Sequence, residues 1–128
     1  MIKKYDKLHD EQLSEHFWLR EFHCLCTSAV CQNTYVDDDL ISKLEELRTA
    51  CGTIKINDAY RCSKHNNEVG GKPGSYHLLG KAADIKTPLG AALTAMNAEN
   101  GPFKNGGVGR YGTFIHVDVR GYKARWRM

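Results

Sequence analysis

Residues 113–120, TFIHVDVR, alternate aliphatic and polar side chains. A β-strand turns such alternation into two faces. Ile115, Val117 and Val119 fall on one face, and Phe114, His116, Asp118 and Arg120 on the other. The aliphatic face belongs to the core. The polar face therefore carries an imidazole and a carboxylate two residues apart, looking across an open surface.

A second short strand is predicted over residues 81–86, KAADIK. Ala83 and Ile85 point one way, Ala82 and Asp84 the other. If the two strands are neighbours, Asp84 approaches His116. The segment preceding it, SYHLLGKAAD, adds His77. Gly80 lets the chain turn back tightly after that residue, bringing His77 to the same point. Two histidines and one carboxylate make a zinc ligand set with an open fourth position, the mark of a catalytic site. The competing reading is an ordinary hydrogen-bonded histidine and a turn-capping aspartate, and spacing does not choose between the two.

The remaining elements alternate irregularly. Residues 37–51 read as a helix opened by three aspartates, which suit the positive end of its dipole. Leu40, Ile41, Leu44 and Leu47 form its apolar stripe, and Gly52 caps it. Residues 53–58, TIKIND, read as a strand. Ser63 is expected to cap a short helix stopped by Gly70 and Gly71. Thr87 and Pro88 are expected to open another helix, with Leu89, Ala92, Leu93 and Met96 on its buried face and Gly101 at its end. GPFKNGGVG (101–109) reads as a glycine-rich loop and lacks the lysine and hydroxyl ending of a phosphate loop. HFWLREF (16–22) is apolar enough to be anchored. The pattern predicts an α+β fold with a small, mostly antiparallel sheet flanked by helices. The 128 residues suit one domain, with residues 1–15 as a loosely packed extension of it.

Five cysteines are an odd number, so they cannot all pair. Cys24, Cys26 and Cys31 cluster, and a structural zinc site would need a fourth ligand, either His23 or Cys51. Free thiols in a reducing compartment are the expectation preferred here. No leader-like apolar run opens the chain, which implies synthesis in the cytoplasm, and no stretch is long enough to span a membrane. The net charge is +3, with basic residues gathered between Arg120 and Arg127. That cluster reads either as a solvated tail or as an attraction for an acidic polymer such as cell wall or nucleic acid.

SYHLLGKAAD together with FIHVDVRG resembles the zinc-dependent D-alanyl-D-alanine carboxypeptidases. These include peptidoglycan carboxypeptidases, vancomycin-resistance dipeptidases and phage endolysins, and share a fold with the Hedgehog signalling domain. Ser75, His77, Gly80, Asp84 and the later His116 match the family signature in order. INDAYRCSKHNNEVGG and the closing RGYKARW are similar as well, so the likeness runs from about residue 16 to 127. The resemblance implies that His77, Asp84 and His116 bind Zn2+. It implies that Arg61 faces the developing oxyanion or a substrate carboxylate. Ser75 would contact substrate or orient His77, with a plain turn residue as the equal alternative, and Tyr76 would line the substrate groove, with packing as its alternative.

In one respect the chain departs from that pattern. Many members carry an acid three residues before the last histidine, where this chain has Thr113. Asp118 is the substitute catalytic base, or else it accepts the N–H of a ligating histidine. His65 and Glu68 are weaker candidates. The implied function is hydrolysis of an amide in peptidoglycan stem peptides, at the bacterial cell wall if the protein is released. The expected partner is a stem peptide rather than nucleic acid, and the expected state is a monomer. The alternative is a non-catalytic zinc-containing binding module of the same fold.

Overall fold

A computed structural model describes residues 1–128. Seven strands and three α-helices follow one another as β1 (Ile2–Asp6), β2 (Asn33–Asp37), α1 (Asp38–Cys51), β3 (Lys55–Asp58), α2 (Ser63–Glu68), β4 (Ala82–Lys86), α3 (Ala91–Asn100), β5 (Gly107–Arg110), β6 (Ile115–Asp118) and β7 (Ala124–Arg127). Short 3₁₀ turns lie at Leu19–Phe22 and Tyr76–Leu79. β1 and β2 make an antiparallel pair, and the other strands form one sheet in the order β3-β4-β6-β5-β7. Every pairing in that sheet is antiparallel except β5 with β7. This is the expected α+β architecture, with helices packed against a mixed, mostly antiparallel sheet. No helix is long and apolar enough to cross a membrane.

The core forms where the aliphatic stripes meet. Leu40, Ile41, Leu44 and Leu47 of α1 pack with Ile85, Val108, Ile115 and Val117 from the inner face of the sheet. Phe17, Leu19 and Phe22 close the same cluster, so the HFWLREF segment is anchored. Asp37 caps α1 by accepting from Asp39 N at 2.9 Å, and Lys81 Nζ donates to its other oxygen at 2.7 Å.

Several local expectations are corrected. Thr87-Pro88 does not begin a helix: the chain turns at Gly90 (φ +84°), and α3 starts at Ala91. Leu89, Leu93 and Met96 are 40, 48 and 50% exposed, while Thr94, Ala95 and Ala98 are buried. Short side chains at that spacing let α3 lie close to the sheet. Cys62, not Ser63, caps α2, its sulfur accepting from His65 N at 3.4 Å. The glycine-rich loop ends three residues sooner than read, because Gly107–Arg110 is a strand. The basic C-terminus is also a strand, and Arg125 Nη1 donates to Gly106 O at 2.6 Å. Neither proposed fourth ligand joins the three clustered cysteines. Cys51 lies in the main core, and His23 is bonded to Thr34 Oγ1 and His9 O.

Candidate metal centre

Strand register builds the site. Asp84 on β4 sits directly opposite His116 on β6, so both project from the same face. On the other side of β6, Gly109 is opposite His116 and Gly107 opposite Asp118. A Cβ at Gly107 would come within 3.0 Å of the Asp118 carboxylate, and one at Gly109 within 3.0 Å of the Trp126 ring. The two glycines thus leave this face of the sheet bare, giving Asp118 and Trp126 room beside His116.

His77 arrives from the 3₁₀ turn. Ser75 caps it, its hydroxyl oxygen accepting from His77 N at 3.3 Å, which is the turn role set out for Ser75. Gly80 ends the turn at φ +73°, and a Cβ there would fall within 3.0 Å of the Tyr35 carbonyl oxygen. Asp37 N donates to Gly80 O at 2.9 Å, which docks the turn onto β2.

The structure brings His77, Asp84 and His116 together. His77 Nε2 and His116 Nδ1 each lie 3.2 Å from Asp84 Oδ1. All three residues are more than nine-tenths buried, and their ligand atoms fall within 4.8 Å of one another. The outward nitrogens fix the tautomers. His77 Nδ1 is 2.6 Å from Ala59 O, and a carbonyl only accepts, so Nδ1 carries the proton. His116 Nε2 is 2.7 Å from Asp118 Oδ2, and an ionised carboxylate likewise only accepts. Both inward nitrogens then present lone pairs to a carboxylate oxygen. Three lone-pair donors facing one point fit a divalent cation.

The electrostatics agree. Burial alone would raise the Asp84 carboxyl, but the adjoining His116 and His77 outweigh it and hold the group well below the usual range. Burial alone would lower His116, but Asp118 and Asp84 outweigh it and raise its pKa. Positive charge is favoured where the three meet.

Asp118 is fully buried, and its two oxygens accept five hydrogen bonds, from Gly107 N, His116 Nε2 and the Arg120 N, Nε and Nη2 atoms. That exhausts the lone pairs of a carboxylate. The geometry gives Asp118 the task of orienting His116 and leaves no oxygen to take a further proton. Thr113 is exposed, as is Glu68, and His65 is half-buried.

Arg61 lies against the cluster. Its Nε donates to Asp58 Oδ2 at 2.6 Å, Nη1 to Asn66 Oδ1 at 3.2 Å and Nη2 to Asp84 Oδ2 at 3.5 Å. Asn66 is therefore a buried support for Arg61. Asp58 escaped the sequence reading. It pairs across from Asp84 after an irregularity in β3, and its Oδ1 is buried with no hydrogen-bond partner. The acidic residue ending TIKIND was the available signal, but alternation alone did not show which face a bulged strand would give it. Arg120 was also missed. Its guanidinium sits 4.5 Å from the Tyr76 ring and 5.0 Å from that of Trp126, forming a half-buried aromatic rim beside His116.

One imidazole from a 3₁₀ turn, a second imidazole and a carboxylate from the sheet, with each imidazole held from behind by an acceptor, define a metallohydrolase type of centre. The Peptidase M15 family model matches residues 15–118, and the chain belongs to that family. M15 peptidases are metalloenzymes, so the family and the donor set agree on a metal. Comparison with curated proteins gives no match.

Proposed function

We propose that the protein is a zinc-dependent peptidase that hydrolyses an amide bond in peptidoglycan stem peptides, D-Ala-D-Ala or L-Ala-D-acyl. The observation that supports this reading is the convergence of the inward nitrogens of His77 and His116 on Asp84 Oδ1. The ligand set of two imidazoles and one carboxylate is that of hydrolytic zinc sites. When bound there, the ion supplies Lewis acidity towards the carbonyl under attack and towards water.

The chain's own residues do the rest. Ala59 O and Asp118 hold the imidazoles in the ligating tautomer. Arg61 offers a fixed cation, kept in place by Asp58 and Asn66, to the oxygen that gains charge in the transition state. Tyr76, Arg120 and Trp126 form the rim that receives the peptide. Asp58 Oδ1 is the free carboxylate oxygen next to Arg61 and takes the role of proton acceptor that Thr113 and Asp118 cannot fill.

A non-catalytic zinc module is the second reading, favoured by Thr113 at the position where many relatives carry an acid. Incubating the zinc-loaded protein with peptidoglycan fragments and searching for new amino termini by mass spectrometry separates the two. New termini within the stem peptide support hydrolysis. Zinc bound at stoichiometry without any cleavage favours the module.

A further inference from the structure

The peptidase centre leaves a second cluster unexplained. Cys24, Cys26 and Cys31 lie on residues 23–32, a segment with neither helix nor strand, and Cys62 caps α2. The four sulfurs are all within 4.8 Å of one another. Cys62 Sγ is 3.8 Å from Cys24 Sγ and 3.8 Å from Cys26 Sγ. A tetrahedral tetrathiolate with metal–sulfur bonds of about 2.3 Å has edges of about 3.8 Å. Two disulfides would instead draw the sulfurs together in pairs, to about 2.05 Å. Here Cys62 is equally far from two partners, and all the cysteines are free thiols. The fifth, Cys51, is buried in the main core away from this group, which accounts for the odd count.

We propose that Cys24, Cys26, Cys31 and Cys62 form a structural zinc site, distinct from the peptidase centre, that fastens the 23–32 segment to the start of α2. Soft thiolates in a tetrahedral array select zinc among the common divalent ions. On binding, the four thiols give up their protons to solvent and the closed site keeps no open position. Such a centre carries excess negative charge. Lys7 Nζ lies 3.3 Å from Cys26 Sγ and 3.0 Å from Cys26 O, which brings a cation to it from another part of the chain. Two backbone amides also point at sulfur: Cys62 N lies 3.4 Å from Cys24 Sγ, and His65 N lies 3.4 Å from Cys62 Sγ.

The segment needs such a fastening. Its buried apolar cluster consists of Cys24, Cys31 and Tyr60, with Cys26, Tyr35 and Cys62 packed around them. No large aliphatic side chain contributes. Cys62 also directly follows Arg61, whose backbone N donates to His77 O at 3.1 Å. The sulfur site therefore fixes the point from which Arg61 reaches the peptidase centre.

The test uses the full chain, purified under reducing conditions and loaded in parallel with zinc or cobalt(II). The wild type is expected to hold about two zinc ions per chain by plasma mass spectrometry. Its cobalt form should show thiolate-to-cobalt charge transfer and the intense visible bands of a tetrahedral tetrathiolate. His77→Ala should retain that spectrum and hold about one ion. Cys31→Ser should lose the spectrum, and its melting temperature should fall by more than about 10 °C. If that variant does not accumulate, Cys26→Ser, altering a half-buried ligand, is read for the same spectral loss. Cys51→Ser should leave the metal content unchanged. A wild-type cobalt form without thiolate charge transfer would overturn the proposal. So would peptide mapping that finds these cysteines joined as disulfides in the zinc-loaded protein.

Discussion

Sheet register and one helical turn deliver His77, Asp84 and His116 to their meeting point, whereas Cys24, Cys26 and Cys31 are delivered by a segment with no regular structure. In the first region the fold makes the site. β4 and β6 would pair through their backbones whether or not Asp84 and His116 were present, and the inward nitrogens are aimed by acceptors that belong to the protein. In the second region the site makes the fold, because little besides the sulfurs is buried beneath the 23–32 segment. A catalytic centre gains from a scaffold that does not depend on its ligand, since the open position must exchange. A fastening gains from the opposite arrangement, since metal affinity becomes folding free energy.

The largest expected effects set the two regions against each other. His77→Ala should abolish most peptidase activity. A Lewis acid is worth several kcal/mol, or about a thousandfold in rate. The same change should cost about 1–3 kcal/mol of stability, the loss of a buried hydrogen-bonded group. Rates of new amino-terminus formation, run beside urea unfolding, read both quantities. If His77→Ala melted as low as Cys31→Ser, the two regions would not differ in kind. Arg61→Ala comes next: metal content is retained and kcat falls about 10²- to 10³-fold. Arg61→Lys should not restore it, because a compact ammonium cannot reproduce the planar fork that reaches Asp58, Asn66 and Asp84 together. Asp118→Asn should weaken zinc binding at the peptidase centre about 10- to 100-fold, measured by chelator competition. Unchanged affinity would mean that Asp118 does not orient His116.

The two regions also differ in how far the sequence disclosed them. The alternation in TFIHVDVR and KAADIK marks one aliphatic face and one polar face, and the pairing of the two strands, on which the approach of Asp84 to His116 is conditional, is the one observed. The stripe of α1 was legible for the same reason, since a helical period and a capping aspartate are local signals. What stayed hidden depends on distant partners. Cys62 lies far along the chain from Cys31, and no spacing rule joins them. β5 and β7 look like a glycine loop and a basic tail because their side chains answer to each other. Gly109 is small because Trp126 is large, and neither residue announces the other. The role of Asp118 was decided by Arg120 and Gly107 N filling its oxygens, which no strand pattern reports. α3 misled for a different reason: its bulky residues face outward, and its small ones meet the sheet.

The pairing of Gly109 with Trp126 gives the smallest effect, and it asks whether the sheet positions His116 independently of any metal. An alanine methyl at residue 109 would fall within 3.0 Å of the Trp126 ring, which itself stands 5.0 Å from the His116 ring. Overpacking of this kind costs about 1–3 kcal/mol. Gly112 has nothing within 4 Å of an added Cβ, so Gly112→Ala should change stability by less than about 0.5 kcal/mol. Urea midpoints compare the two variants directly. Tryptophan emission reports the displacement, because the chain has two tryptophans and Trp18 lies outside the sheet. A Gly109→Ala protein with shifted emission and weaker zinc binding would tie the bare face of β5 to the placement of His116. If Gly109→Ala were as neutral as Gly112→Ala in both readouts, the glycines of β5 would have no part in shaping the centre. The contrast between a fold-made and a metal-made site would then rest on β4 and β6 alone.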